Sequence, residues 1–319
     1  MKQALSLCSL AVNSSAPSPT ASMVKIEDGF MVAFGGLFCV RVPVDLALGC
    51  AFNPNAVKTF FRKDRKAITY TVKKNKLVLQ EGKEKLSVGC LPPEDMVTLD
   101  VIAPTKKATL DVKLIRYVSS VIDPANFRSA AHGVTIRDGM LLATNNRCFI
   151  AAYVEGIPDG FTANIHKDAC AALGRFSSPV VGVASDGRAT KFLFEDGASF
   201  SVLNLSEELP DIDVVFEGPW HPLGLSEALV EDLLKIDCYS VVFQDGSILY
   251  RNEDRSSVGD LGVVTKRKFL AFAMKSTLDF LLRNGGQFSI DEDCRKLRSV
   301  NGDSCVVCSL MHTEKEVEA

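Results

Sequence analysis

One short hairpin is written three times along this 319-residue chain. It reads "IEDGFMVAFG" from 26 to 35, "IRDGMLLATN" from 136 to 145 and "FQDGSILYRN" from 243 to 252. Each is an apolar run, an Asp-Gly turn and a second apolar run, the strongest short-range signature of a two-residue hairpin. The turn aspartates, 28, 138 and 245, are 110 and 107 residues apart. A second turn marker, at Asn75, Asp186 and Asp293, steps by 111 and 107. Two independent turns keeping one period identify an internal repeat, and a repeat constrains the fold more than any single motif.

Each repeat also carries two helical patterns with apolar residues three and four apart. "MKQALSLCSLAV", "DVKLIRYVSSVI" and "LSEALVEDLLKI" precede the first hairpin, and "NPNAVKTFFRKDRK", "HKDACAALGRFS" and "MKSTLDFLLRN" precede the second. Asn53 before Pro54 and Asp111 serve as N-caps, and Gly285 is a stop signal. The stretches "APTKKA" (103–108) and "EGPWHPLG" (217–224) read as linkers. The pattern predicts an α+β chain of three tandem domains, 1–105, 106–218 and 219–319. Each has two helices whose apolar stripes pack on antiparallel sheets. Sheets of such copies can join edge to edge, removing free edges.

Composition excludes several classes. The formal net charge of −3 gives no bulk attraction to nucleic acid, so any such contact must come from local patches. No apolar run is long enough for a membrane span. The N-terminus has a faint secretory character, but Leu5, Cys8 and Val12 fit an amphipathic helix better. Ten cysteines lie scattered in apolar runs without a disulfide framework, which suits a reducing cytosol. The histidines form no HExxH pattern, and no phosphate loop or nucleophile elbow occurs. Cys305-Val-Val-Cys308, with Cys294 before it and His312 after, is the strongest thiol or metal signal. Residues three apart on a strand face opposite sides, which spoils chelation. No metal or cofactor is expected.

Three stretches carry a family resemblance. "IRDGMLLATNNRCFIAAY" is similar to the middle-domain pattern apolar-x-Asp-Gly, strand, Ala-Thr-Asp-Gly-His-Arg-Leu-Ala of the bacterial DNA polymerase III beta subunit, the sliding clamp. Here Asn145-Asn146-Arg147-Cys148 replaces Asp-Gly-His-Arg. "LSEELPDIDVV" resembles the family's Glu-Phe-Pro-Asp-Tyr segment, with "LPPEDM" (91–96) in the matching place of the first domain. "CVVCSLM" is similar to the closing Val-Val-Met-Pro-Met. The chain departs from the family in starting directly on a helix and in its polar tail, and the divergence suggests a phage-encoded version.

The resemblance implies a cytoplasmic, non-enzymatic processivity factor. Two copies would close head to tail into a ring of six domains around duplex DNA, with helices inside and sheets outside. Partners would be duplex DNA without sequence preference, a DNA polymerase, a clamp loader, other proteins with a clamp-binding motif and a second copy. Sliding needs phosphate tolerance rather than base readout. The residues expected to face DNA are Lys2, Lys58, Arg62, Lys66, Lys113, Arg116, Arg128, Lys167, Arg175, Lys275 and Arg283. The helix "SEALVEDLLK" disagrees, presenting Glu227, Glu231 and Asp232. A groove for partner peptides would be lined by Thr144, Asn146, Arg147, Phe149, Phe216, Val306, Val307, Cys308, Leu310 and Met311. The competing readings are a repeat-built protein scaffold that binds no DNA, and a thiol or metal enzyme using Cys305, Cys308 and His312.

Overall fold

A computed structural model describes residues 1–62, 68–101, 103–123, 125, 129–207, 209, 213–244, 246–252, 258–265 and 270–310. The first repeat runs α1 (Lys2–Cys8), β1 (Val24–Glu27), β2 (Phe30–Phe34), β3 (Phe38–Pro43), β4 (Cys50–Phe52), α2 (Pro54–Lys58), β5 (Thr69–Lys73), β6 (Lys76–Glu81) and β7 (Glu84–Leu91). The second runs β8 (Lys106–Leu110), α3 (Val112–Ser119), β9 (Gly133–Arg137), β10 (Met140–Thr144), β11 (Cys148–Tyr153), β12 (Ala163–His166), α4 (Lys167–Leu173), β13 (Val180–Ser185), β14 (Ala189–Phe194) and β15 (Ser199–Leu203). α5 (Asp213–Phe216) closes the second repeat, and the third runs β16 (Trp220–Leu223), α6 (Glu227–Lys235), β17 (Ser240–Gln244), β18 (Ser247–Arg251), β19 (Val258–Val263), β20 (Leu270–Met274), α7 (Lys275–Asn284), β21 (Gln287–Asp291), β22 (Lys296–Asn301) and β23 (Ser304–Ser309). Helix, hairpin, helix, hairpin recurs as the sequence periodicity requires.

The turns explain the repeat's markers. Asp28-Gly29 and Asp138-Gly139 both have positive φ at each residue (51° and 75°; 51° and 73°). This is the turn whose twist matches a hairpin, and Gly adopts its second position without a Cβ clash. Asn75 (φ 58°) and Cys294 (φ 57°) mark the second turns of repeats one and three. Asp245 lies outside the described residues.

Local signals set the helix ends. Asn53 Oδ1 accepts the Asn55 amide (2.9 Å) with Pro54 at the first helical position, and Asp111 Oδ1 accepts the Lys113 amide (2.8 Å). Gly285 (φ 67°) follows α7. The helix expected through Lys66 is shorter: α2 stops at Lys58 and a 3-10 turn follows at Phe60–Arg62. Phe60 and Phe61 are both buried and meet edge to face at 5.9 Å. Burying adjacent aromatics suits a tighter turn better than one α-helical stripe. The two stretches read as linkers also differ, because each runs into a strand. β8 pairs with β13, and β16 pairs with β21.

The chain divides into two compact units, Met1–Arg116 with Glu155–Ser206, and Tyr117–Val154 with Glu207–Ala319. They do not follow the repeats, because strands of successive repeats pair: β3 with β15 in the first unit, β11 with β23 in the second. In the first unit, α1 buries Ala4, Leu5, Leu7 and Cys8, and the Cys8 thiol donates to the Met31 carbonyl (3.4 Å). The N-terminal amphipathic pattern is therefore a core helix. Phe176 stacks on Phe194 (4.4 Å) and edges onto Phe200 (5.8 Å), and all three are buried. In the second unit a polar network closes the end of α7. Asn284 Oδ1 accepts from the Tyr117 hydroxyl (2.8 Å) and the Ser304 hydroxyl (2.7 Å), while its amide donates to Ser299 Oγ (2.7 Å). Such satisfied buried networks fix one packing arrangement.

Candidate partner groove and nucleic-acid interface

The turn from Thr144 to Cys148 is built by its own side chains. Thr144, 3% exposed, donates its hydroxyl to the Cys148 carbonyl (2.9 Å) and accepts the Asn146 amide (2.9 Å). Asn145 Oδ1 accepts the amides of Arg147 (3.0 Å) and Cys148 (2.7 Å), and Asn146 is left-handed at φ 72°. The chain contains the same turn in the expected family form. Asp186 Oδ1 accepts the amides of Arg188 (3.1 Å) and Ala189 (2.8 Å), and Gly187 has φ 82°. Asn replaces Asp as acceptor, and Asn is the non-glycine residue that best tolerates a left-handed φ. The departure from Asp-Gly therefore keeps the geometry while altering what the turn displays. Asn146 and Arg147 are exposed at its tip, with the Arg147 guanidinium against Met274 Sδ (2.8 Å).

Beside this turn lies an apolar face. Leu142, Ala151 and Leu209 form a buried cluster, with Met140, Phe149, Val215 and Phe216 packed against it half-exposed. Strand register extends the face, since Phe149 lies opposite Val307 and Ala151 opposite Cys305. Val307 is 1% exposed. On β22, Arg298 lies opposite Val307 and stacks its guanidinium on the Trp220 ring (4.3 Å). The Trp220 indole donates to the Phe216 carbonyl (3.1 Å), and Lys296 Nζ donates to the Val215 carbonyl (3.5 Å). These contacts hold the α5 segment beside the sheet, so that Phe216 and Phe149 share one apolar cluster.

Of the expected groove residues, Thr144, Asn146, Arg147, Phe149, Phe216 and Val307 come together. Val306 and Cys308 do not. Both are fully buried on the opposite face, where the Cys308 thiol meets the Thr277 carbonyl (3.3 Å). Strand alternation sends neighbours to opposite sides, so only every second residue of "CVVCS" can join. Leu310 is buried with its amide on the Arg295 carbonyl (2.6 Å), and Met311 lies outside the described residues. The sequence reading missed Met140, Leu142, Ala151, Leu209, Val215, Trp220 and Arg298. The period-two pattern of "MLLAT" held the signal for the first two.

The expected DNA-facing cations divide. Lys58, Lys113, Arg116 and Arg175 are exposed on or beside α2, α3 and α4, and Lys2 is exposed on α1. Arg116 lays its aliphatic stem against Gly174 at the end of α4, where an added Cβ would sit 3.3 Å from it. Lys167 is half-buried. Lys275 is tied to Asp279 at 2.6 Å with a side chain 12% exposed, which largely cancels its charge. Arg283, 70% exposed, approaches the same carboxylate at 3.9 Å. Lys66, Arg128 and the side chain of Arg62 lie outside the described residues. On α6, Glu227, Glu231 and Asp232 are exposed, with Glu231 paired to Lys235 (3.3 Å).

The thiol and metal alternative loses its geometry. Cys305 and Cys308 face opposite sides of β23, and burial pushes the Cys305 thiol up to about 11, leaving little thiolate at neutral pH. His312 lies outside the described residues, and among those described no cluster of metal-binding side chains occurs. No helix among the described residues is long and apolar enough to cross a membrane.

No family model and no curated protein matches the sequence. Solved structures do match the fold. The DNA polymerase III beta subunit of Pseudomonas aeruginosa, a sliding clamp bound to griselimycin, superposes with a TM-score of 0.80 at 15% identity, covering 98% of this chain and 97% of that one. The Helicobacter pylori beta clamp bound to a DNA ligase peptide gives 0.81 at 12% identity over 97% of each. A putative DNA polymerase III beta subunit from Eubacterium rectale gives 0.82 at 12% identity over 98% and 97%. This chain has the sliding-clamp fold. The match spans nearly the whole chain at very low identity. In clamp terms, the face around Phe149 belongs to the middle and last repeats, and the exposed cations of α2, α3 and α4 belong to the first two.

Proposed function

We propose that this chain is a DNA polymerase sliding clamp, a non-enzymatic processivity factor of the cytoplasm with repeats at 1–105, 106–218 and 219–319. Two copies encircle duplex DNA and tether a polymerase, which a clamp loader places there. The observation that carries this reading is the fold match over 97–98% of both chains in beta clamps. The exposed cations Lys58, Lys113, Arg116 and Arg175 support a phosphate-tolerant inner face, because sequence-independent binding needs charge and no base contacts. The apolar face around Phe149, Phe216 and Val307 supports a groove for partner peptides, in which a few anchors carry most of the affinity. The Helicobacter pylori relative is a clamp bound to a DNA ligase peptide, and the same class of ligand is assigned here.

The repeat argues for a second copy. β3 pairs antiparallel with β15, and β11 with β23. By repeat position, β19 corresponds to β3 and β11, and β7 to β15 and β23. Among the described pairings β19 bonds only β18, and β7 bonds β6 and the short β4. Pairing β19 of each copy with β7 of the other completes the series twice and leaves neither edge open. α6 then belongs at that contact, since Leu233 is its one buried residue while Leu229, Val230 and Leu234 are half-exposed. That placement also removes its acidic face from the DNA.

The test is topological. The chain, loaded on nicked circular DNA, should stay bound and then run off when the circle is cut. Equal dissociation from circular and linear DNA would refute encirclement. A solution mass of about 69 kDa, twice 34.6 kDa, is expected, and a strictly monomeric mass would refute the dimer.

A further inference from the structure

We propose that Cys148 and Cys308 form a disulfide when the folded chain meets hydrogen peroxide, stapling β11 to β23. The two residues are directly opposite in the strand register, and their sulfurs are 3.2 Å apart. The Ser309 amide donates to the Arg147 carbonyl (2.8 Å), which makes 147 and 309 the hydrogen-bonded pair and 148 and 308 the non-bonded one. Non-bonded pairs bring Cα atoms to about 4.5 Å, within the range a disulfide spans.

No other thiols on the described strands are opposed in this way. Cys50 and Cys90 share a side-chain hydrogen bond, but Cys90 lies opposite Phe52, so the two meet diagonally rather than in register, and Cys305 faces the other side of the sheet. The fold does not require sulfur at the pair. At the corresponding place in the first unit, β3 and β15 put Phe38 opposite Val202. The thiols are a feature of this sequence added to a junction that otherwise takes hydrocarbon.

The chemistry balances. One sulfur, as thiolate, attacks peroxide, breaking the O–O bond; sulfenic acid forms and the departing hydroxide takes up a proton as water. The second thiol then attacks that sulfur, the S–OH bond breaks, and a second water leaves. Two thiols and one peroxide yield one disulfide and two waters, with both electrons coming from sulfur. The hydrogen bond with Cys308, then burial, raise the Cys148 thiol above its ordinary value, so the reaction is slow at neutral pH and quickens as pH rises.

The staple would join residues 160 apart in sequence. It would also fix the spacing of Phe149 and Val307, the next register pair, which faces the apolar groove. The effect on peptide binding rests on the function proposed above; the disulfide does not.

The experiment uses the unmodified folded chain. It is treated with hydrogen peroxide at pH 8, quenched with catalase, unfolded in an alkylating reagent and digested without reductant for mass spectrometry. A linked peptide pair joining Cys148 to Cys308 is expected, with the other eight cysteines alkylated. Recovery of Cys148 and Cys308 as separate alkylated or over-oxidised residues, or linkage of either to Cys305, overturns the proposal. Amide exchange at Phe149 and Val307 should slow in the oxidised chain, and unchanged exchange overturns the staple's mechanical role. A Cys50→Ser chain should form the link at the same rate; loss of the link there would also overturn the assignment.

Discussion

Replacing Asn145 tests whether its side chain, rather than the surrounding strands, holds the turn at the groove. Its Oδ1 accepts two amides, those of Arg147 and Cys148. In Asn145→Ala the exposed Arg147 amide finds water, at little cost. The Cys148 amide does not, because Cys148 is fully buried and its amide lies on the side away from β23. Stranding a buried amide costs about 1–3 kcal/mol, so about 2 kcal/mol is expected. The unit containing it has about 150 residues. At that size each kcal/mol moves the midpoint by about 2–4 °C, so its calorimetric transition should fall by about 4–8 °C. Asn145→Asp keeps the Oδ1 that accepts both amides, as Asp186 does in its own turn, and should lie within about 1 °C of the parent. Adding Asn146→Gly recreates the Asp186-Gly187 turn and should not lower the midpoint, since φ 72° favours Gly. If Asn145→Ala shifts the midpoint by less than about 1 °C, or Asn145→Asp destabilises as much as Ala, the side-chain account of the turn is wrong.

Further outcomes follow from the same geometry. Phe149→Ala should weaken a clamp-binding peptide at least about tenfold in a fluorescence-polarisation titration, the scale of a lost anchor; unchanged affinity would move the groove elsewhere. Lys113→Glu with Arg116→Glu should keep the thermal midpoint and reduce retention on circular DNA, with the deficit narrowing at higher salt because fewer phosphate contacts leave a shallower salt dependence. Full retention would show that α3 does not meet phosphate. Burial raises the Cys305 thiol to about 11 and the Cys50 thiol to about 12, above the value of about 8.5 expected when unfolded. Because the folded values are the higher ones, this contribution to stability is complete below pH 8.5 and is lost as pH rises toward 11–12. Urea midpoints should therefore hold from pH 7 to 8 and fall above 9, less steeply in Cys305→Ser, and an identical slope would refute the contribution.

The sequence displayed what is local. Asp28-Gly29 and Asp138-Gly139 announced their hairpins because two successive positive φ angles admit few residues. Asn53-Pro54 and Gly285 marked helix ends for equally local reasons. What it hid depends on pairing between distant segments. "APTKKA" reads as a linker because Pro and Lys favour exposed chain, yet its last residues join β8 once β13 offers a partner. Phe60-Phe61 fits a helical stripe on paper but needs the core to reveal that both rings are buried.

The groove shows the same limit at the level of function. Phe149 meets Val307 only because β11 and β23 pair across more than 150 residues of chain, and nothing near either residue encodes that contact. The repeat supplies an internal comparison. At the matching junction of β3 and β15, Cys39 stands for Phe149, Arg41 for Ala151, Ser201 for Val307, Ser199 for Cys305 and Lys191 for Arg298. Lys25, opposite Val32 on β1, adds a further cation paired with Glu27 at 2.7 Å; beneath these charges Val32, Cys39, Leu99 and Ala189 form a buried cluster with Phe30, Phe34, Val101 and Leu203 half-exposed against it. One backbone arrangement thus sets an apolar cluster among mostly apolar side chains at one junction and among charged and hydroxyl side chains at the other. The fold match alone does not distinguish them. The alternating residues of β11, β23 and β22 do, with Phe149, Ala151 and Val307 where the first junction has Cys39, Arg41 and Ser201.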